Sequence, residues 1–309
     1  RRGQEEIRTE MIADVKIPYA PLPKQLEFHQ SKARYRCYAG GMGSGKTKCG
    51  VVESLSQSLW YPKNLGLVGR MTYPELRDTT RRELLELPVV CDGKEVELVS
   101  SPLVKRWNKA ENLLTLFNDS QIVFRALEDA FQKIKSMNLG WFYIDELTEA
   151  NDEIWLGLCG RLRRIGVHHT GFGTTNPEGG DWVWKRFQAD HLDDYFLTHA
   201  PSTENIHLPK GYVDGLIKQF PAEWVKRYVH GSFDSFEGLI YKEFSERTHV
   251  IPPADVPADH YRFLALDHGF RNPTCVLWGS VDRRGVLTIY DEFYQSGLIV
   301  SEISEIIKT

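Results

Sequence analysis

Gly40-Gly41-Met42-Gly43-Ser44-Gly45-Lys46-Thr47 fits the pattern G-x-x-x-x-G-K-S/T, and it stands in the surroundings that a phosphate-binding loop needs. Before it, Tyr35-Arg36-Cys37-Tyr38-Ala39 reads as a short buried strand. After it, Lys48 to Trp60 carries Val51, Val52, Leu55 and Leu59 at helical spacing and reads as an amphipathic helix. A glycine-rich turn between strand and helix lets backbone N–H groups close around phosphate oxygens, and the helix N-terminus adds the positive end of its dipole. In this pattern Lys46 reaches the β- and γ-phosphates and the Thr47 hydroxyl binds Mg²⁺. The loop from Gly40 to Thr47 is therefore expected to bind a nucleotide.

Composition sets the frame around that loop. The 309 residues suffice for one large or two medium domains with a buried core. With 41% hydrophobic residues, no apolar stretch of membrane-spanning length and no signal peptide, the chain reads as globular and not membrane-embedded. Cys37, Cys49, Cys91, Cys159 and Cys275 are odd in number and scattered, so neither a disulfide framework nor zinc spacing is expected, and a reducing cytosolic setting is. At a net charge of −4, a polyanionic partner must be met by local basic patches. The chain opens on Arg1 and runs out inside an expected helix from Val300 to Thr309, which reads as a portion of a longer protein.

The first part alternates strand and helix, as a parallel α/β sheet requires. Strands are expected at Leu65 to Gly69, Trp141 to Ile144, Thr170 to Thr174 and Tyr195 to His199. Helices are expected at Pro74 to Leu87, Asp152 to Arg164, Lys210 to Phe220 and Ala222 to Val229. Leu113 to Phe117 and Gln121 to Arg125, around Asn118-Asp119-Ser120, read as a hairpin. Breaks at Gly231 to Gly238 and at Ile251-Pro252-Pro253 precede antiparallel strands at Arg262 to Leu266, Thr274 to Ser280 and Val286 to Tyr290.

Ile144-Asp145-Glu146 ends an apolar strand on two acids. Behind a phosphate loop, the first suits a Mg²⁺ contact and the second a carboxylate that polarises the attacking water. Thr174-Thr175-Asn176-Pro177 closes the next strand, so Thr175 or Asn176 faces the same crevice and is placed to sense the γ-phosphate. His168-His169, adjacent on an expected strand, point to opposite faces and read as structural.

Taken together, the chain resembles the large terminase subunit of tailed bacteriophages. The resemblance rests on the phosphate loop, Phe124-Arg125-Ala126-Leu127-Glu128-Asp129, Gln132-Lys133-Ile134-Lys135-Ser136, Tyr143-Ile144-Asp145-Glu146-Leu147 and Arg161-Leu162-Arg163. It continues through Thr174-Thr175-Asn176-Pro177, Tyr228-Val229-His230-Gly231-Ser232-Phe233, Glu237-Gly238-Leu239-Ile240-Tyr241 and Ala265-Leu266-Asp267-His268-Gly269, in that order. It implies a RecA-like P-loop ATPase domain over residues 1–233, with an N-terminal adenine-motif segment and a C-terminal helical subregion. Residues 234–309 then hold a linker and the first part of an RNase H-like α/β nuclease domain.

The implied activity is Mg²⁺-dependent ATP hydrolysis that drives double-stranded DNA into a procapsid in the cytoplasm of the infected host. The implied partners are the small terminase subunit, the portal protein and further copies in a ring, with a monomer or weak oligomer in isolation. Carried over residue by residue, Lys46 and Thr47 serve the phosphates and Mg²⁺, Asp145 the metal, Glu146 the water, Thr175 and Asn176 the coupling, and Gln25 the adenine. Many relatives carry an arginine inside the loop where this chain has Met42. Some other cation must then meet the γ-phosphate, and Lys135, Arg161 and Arg163 are the candidates, offered in cis or to a neighbouring subunit.

Asp267 ends a buried-looking strand, where the resemblance implies the first ligand of a two-metal (Mg²⁺ or Mn²⁺) nuclease centre. One carboxylate does not hold two metals, and Asp291-Glu292 reads as an exposed strand-end pair. The chain is accordingly expected not to cut DNA. Arg81-Arg82, Lys105-Arg106 and Arg161 to Arg164 offer phosphate contacts. A helicase or other P-loop translocase is the enzymatic alternative, although a second RecA-like lobe has no place here. A GTP-binding switch would want an N-K-x-D motif, which the sequence lacks.

Overall fold

The computed structural model describes residues 15–128, 134, 136–178, 181–233, 249–269 and 272–308. The chain divides into two compact units, Arg1–Gly238 and Leu239–Thr309.

In the first unit the strands are β1 (Tyr35–Gly40), β2 (Leu65–Arg70), β3 (Pro88–Cys91), β4 (Lys94–Glu97), β5 (Val104–Asn108), β6 (Leu113–Leu116), β7 (Gln121–Ala126), β8 (Trp141–Asp145), β9 (Thr170–Thr175) and β10 (Tyr195–Ala200). Eight of them form one sheet in the order β10-β1-β9-β8-β2-β7-β6-β5, and β3 and β4 make a separate ribbon. Pairing is parallel from β10 across to β7, while β6 and β5 extend the sheet antiparallel. Parallel strands need both faces covered, and β8 shows it. Trp141 and Tyr143 enter one core with Phe28, Leu55 and Phe172, while Phe142 and Ile144 enter the other with Leu67, Leu147 and Trp155. The two-residue period of the strand makes this division.

The principal helices of this unit are α1 (Pro23–Gln30), α2 (Lys46–Trp60), α3 (Tyr73–Asp78), α4 (Thr80–Leu85), α5 (Asp152–Cys159), α6 (Tyr212–Gln219) and α7 (Ala222–Tyr228). The helix expected from Pro74 to Leu87 is two helices. Thr79, at φ −119° and ψ −90°, turns its hydroxyl back onto the Glu75 carbonyl at 2.6 Å and breaks the run. The helix expected to reach Arg164 stops at Cys159, and Arg161 to Arg164 run beside Leu139, bridging at Leu139–Leu162. His168 and His169 precede β9 and are not part of it, and the His169 ring contacts the Arg164 carbonyl.

One buried ion pair fastens α2 to β1. Arg36 and Glu53, 3% and 1% exposed, meet at 2.7 Å, and His29 approaches the other Glu53 oxygen at 2.6 Å. Burial opposes the charge on Glu53, but the His29 hydrogen bond and the Arg36 charge outweigh it and bring its pKa down to about 2.

The second unit pairs β11 (Tyr261–Asp267), β12 (Thr274–Val281) and β13 (Leu287–Gln295) antiparallel, with α8 (Val300–Lys308) after them. The β11 strand expected to be buried is largely exposed: Leu264 is 38% and Leu266 48% accessible. Its apolar residues form a strand by pairing with β12, and within the described residues they face solvent.

Removing Glu53 leaves a guanidinium buried without its partner, so Glu53→Ala is expected to cost about 3–5 kcal/mol of unfolding free energy by urea titration. Because the folded pKa of Glu53 is depressed, its contribution is complete above pH 4.5 and is lost as pH falls toward 2. The difference in urea midpoint between wild type and Glu53→Gln should therefore narrow across that interval.

Candidate functional site

The loop between β1 and α2 is shaped by two kinds of contact. Gly45, at φ +82°, holds the left-handed backbone that starts α2, a conformation costly for residues with a Cβ. Gly41 passes so close to the end of α7 that a Cβ would lie 2.5 Å from the Val229 carbonyl and 2.7 Å from that of Tyr228. The Gly41 and Met42 N–H groups are committed outward, to the carbonyls of Ala200 and Tyr228. Ser202 and Asn205 donate to the Met42 and Gly43 carbonyls at 2.7 and 2.6 Å. The N–H groups of Lys46 and Thr47, in the first turn of α2, have no intrahelical acceptor.

Lys46 is 8% exposed and donates to the Asn176 side-chain oxygen at 2.8 Å and to the Gly41 carbonyl at 3.1 Å. Burial lowers its pKa, against the pull of Glu146 and Asp145. Thr47, one residue on, places its hydroxyl 3.4 and 3.5 Å from the two Asp145 oxygens.

Asp145 itself is 1% exposed. Thr80 donates to one of its oxygens at 2.5 Å and Thr174 to the other at 2.6 Å. A hydroxyl facing a carboxylate whose orientation is set by two further hydroxyls is an all-oxygen arrangement of the type Mg²⁺ takes.

Glu146 follows β8 with left-handed backbone, φ 54° and ψ 61°. This conformation costs a residue with a Cβ about 1–3 kcal/mol and clusters at functional sites. One Glu146 oxygen lies 3.4 Å from the Asn176 N–H. Burial raises the pKa of Glu146, Lys46 opposes the rise, and Asp145 adds to it.

Two open clefts border the site, one beside the loop and one beside Glu146. One, of about 380 Å³, is lined by Pro18, Tyr19, Leu22, Gln25, Lys48 and Asn205. The other, of about 270 Å³, is lined by Arg70, Glu146, Thr148, Asn176, Arg227 and Tyr228. A larger cavity of about 420 Å³, beside His29, Lys32, Arg36, Trp60 and His168, has no loop residue in its wall.

A family model described as the phage terminase large subunit matches residues 32–220. The chain belongs to the phage terminase large subunit family. The family's members are ATP-driven DNA-packaging motors. The PBSX phage terminase large subunit of Bacillus subtilis (strain 168) is 26% identical over 89% of this chain and 68% of its own length. The large terminase of a thermophilic bacteriophage, solved in complex with ADP, superposes with a TM-score of 0.59 at 19% identity, covering 93% of this chain and 73% of that one. The ATPase domain of the Thermus phage P74-26 large terminase superposes with a TM-score of 0.53 at 16% identity, over 70% of this chain and 95% of that domain. The mostly parallel sheet is thus that of the RecA-like terminase ATPases.

In this terminase the structure gathers Lys46, Thr47, Asp145, Glu146 and Asn176 into one crevice. Thr175 bonds the Thr148 hydroxyl at 2.7 Å and donates to the Asn176 carbonyl at 3.0 Å. Gln25 sits under the loop, its amide donating to the Gly45 carbonyl at 3.0 Å and its oxygen accepting from the Leu22 N–H at 2.8 Å. Lys135 lies outside the described residues. Arg161 and Arg163 lie beside Leu139, at the end of β8 opposite to Asp145. Five strand residues, roughly 17 Å, separate the two ends.

Several of the basic pairs are already engaged. Arg82 meets Glu86, Lys105 meets Asp119, Arg81 bonds Asn112, and Arg164 bonds the Lys63 carbonyl. Asp267 stands at the exposed end of β11, level with Cys275 and Tyr294, whereas Asp291 and Glu292 lie level with Trp278 and Leu277. Among the described residues no group of three His, Cys, Asp or Glu is placed to hold a metal.

Four residues that shape the crevice escaped the sequence reading: Thr80, Arg70, Ser202 and Asn205. None stands in a motif, and each arrives through the chain's topology. Thr80→Val removes one of the hydroxyls fixing Asp145. It is expected to lower folding stability by about 1.5–3 kcal/mol, a range set by hydrogen bonds to charged groups. Chemical denaturation without nucleotide measures it; a loss below half a kilocalorie would mean that the carboxylate does not depend on Thr80.

Proposed function

We propose that this chain binds Mg²⁺-ATP between α2 and β8, hydrolyses it, and uses the cycle to drive double-stranded DNA into a procapsid. The observation that carries the reading is the Lys46–Asn176–Glu146 chain of contacts beside Asp145. Lys46 and the N–H groups at the start of α2 hold the phosphates. The Thr47 hydroxyl and the Asp145 carboxylate would hold the metal, which would offset the charge of the phosphates. Glu146 takes a proton from water as its oxygen attacks the γ-phosphorus. The bond to the β–γ bridging oxygen breaks, and ADP leaves with that electron pair.

Asn176 connects this step to the rest of the fold, since its side chain is held by Lys46 and its N–H faces Glu146. Loss of the γ-phosphate releases Lys46 and lets the segment after β9 reset. Gln25 and Tyr19 line the flanking cleft where a base would lie next to the loop. The acting form is a ring of copies on the portal of a procapsid, fed by the small terminase subunit in the cytoplasm of the infected host. The second unit supplies Asp267 as one ligand of an RNase H-like centre. Asp291 and Glu292 pair at other levels of the sheet, which supports the reading that this chain alone does not cut DNA.

Glu146→Gln is expected to retain ATP binding and to lose about 10²–10⁴-fold in hydrolysis, the range typical of a positioned base. Both are measured by nucleotide fluorescence and phosphate release. Because Glu146 must be ionised and its pKa is raised, wild-type kcat should climb with pH through that pKa, and the climb should be absent in Glu146→Gln. An unaltered rate in Glu146→Gln would remove the assignment. The nuclease half has its own readout: incubation of plasmid with Mn²⁺ should leave it supercoiled, whereas nicking lost on Asp267→Ala would show a complete centre.

A further inference from the structure

The phosphate loop of this chain has Met42 where an arginine would serve the γ-phosphate, and Met42 is tied away from the crevice through its N–H and carbonyl. The cleft on the Glu146 side nevertheless has two guanidinium groups in its wall, those of Arg70 and Arg227. Arg227 is bound directly to Glu178. Arg70 is held differently. It ends β2, the strand that pairs with β8 in parallel with Gly69 opposite Ile144, so its Cα is level with Asp145.

The contacts of Arg70 leave part of its hydrogen-bonding capacity unused. One terminal nitrogen donates to the Thr79 hydroxyl at 2.8 Å. Its other two ion-pair distances are 3.6 Å to Glu149 and 3.9 Å to Glu75, both longer than hydrogen bonds. Its Nε is buried and has no hydrogen-bond partner. A guanidinium has five N–H donors, and Arg70 lines a cleft whose wall also contains Glu146 and Asn176.

The helix break at Thr79 gives this arrangement its rigidity. Thr79 accepts from Arg70, and the next residue, Thr80, donates to Asp145. Two successive side chains thus tie the cation and the metal carboxylate to one backbone segment. A terminal phosphate entering beside Asp145, Glu146 and Glu149 concentrates negative charge at one end of the cleft, where a fixed cation is worth most.

We propose that Arg70 is the cis-acting cation of this ATPase: it donates N–H bonds to the γ-phosphate oxygens as charge builds there, with Thr79 as its positioning residue. The inference rests on the ATPase reading above and deepens it. Arg70 takes the place left by Met42 within the same subunit, and the site needs no arginine from a neighbour for this contact.

The test compares wild type, Arg70→Ala, Arg70→Lys and Thr79→Val for ATP hydrolysis and for binding of a fluorescent ATP analogue. Arg70→Ala should lower kcat by about 10²–10³-fold with the dissociation constant changed less than about threefold, the pattern of a contact made in the transition state. Free guanidinium ion should restore part of the Arg70→Ala rate and none of the Glu146→Gln rate. Thr79→Val keeps the charge and loses its anchor, so its kcat should fall between those of wild type and Arg70→Ala.

Mixing Arg70→Ala with Lys46→Ala chains separates cis from trans. A cis cation gives no recovery, while recovery would show that Arg70 acts on a neighbour's nucleotide and would overturn the proposal. Hydrolysis by Arg70→Ala within threefold of wild type would also overturn it, as would a rate loss matched by lost binding. If Arg70→Ala does not fold, Arg70→Lys and Thr79→Val decide: wild-type kcat in both sinks the idea. A wild-type chain that binds ATP without hydrolysing it would instead fail the ATPase reading itself.

Discussion

A single carboxylate, Asp145, joins most of what surrounds the crevice. It ends β8, takes hydrogen bonds from Thr174 on β9 and Thr80 on α4, and faces Thr47 on α2. A charge buried to 1% exposure persists only if its oxygens are met by donors. The four segments around it are therefore locked in position relative to one another by the solvation requirement of one group. Hydroxyls satisfy that requirement while leaving the negative charge uncancelled, which a salt bridge would not do. The carboxylate consequently remains available to a cation brought by the nucleotide.

A similar economy governs Lys46. It is buried, its charge is disfavoured by burial, and its partners are a side-chain amide and a carbonyl in place of an acid. Hydrogen bonds to neutral oxygens are readily exchanged for phosphate oxygens, whereas a tight ion pair would compete with them. The two acids next to it are held by neutral groups as well. The crevice thus keeps its strongest charges weakly committed, and the fold places its committed ion pair, Arg36–Glu53, in the middle of α2, away from the loop.

How far this was legible in the sequence depended on distance along the chain. The loop, Asp145-Glu146 and Thr174 to Asn176 are contiguous motifs at strand ends, and periodicity alone located their strands. Thr80 and Arg70 belong to the same crevice but are brought there by β2 lying next to β8, a pairing that no local pattern announces. The break at Thr79 was hidden because it arises from a side chain bonding backward to Glu75, not from glycine or proline. The β3–β4 ribbon and β5 were missed because their residues carry little alternation of polar and apolar character: Lys94, Glu95, Lys105 and Arg106 are all exposed. On β11 the opposite error occurred, where an apolar run suggested burial that the described residues do not provide.

Lys105 and Arg106 carry a further meaning once β5 is seen to be the last strand of its sheet. An edge strand displays unpaired N–H and C=O groups, and any extended chain can add to it. Here the register slips between Val104 and Arg106, which kinks the strand, and both cations are exposed, Lys105 beside Asp119. Bulge and charge together are the usual defence against unwanted strand addition. Copies of this chain crowded together would bring such edges close to other backbones. The basic pair that reads as a DNA contact in the sequence is thus also a guard against aggregation.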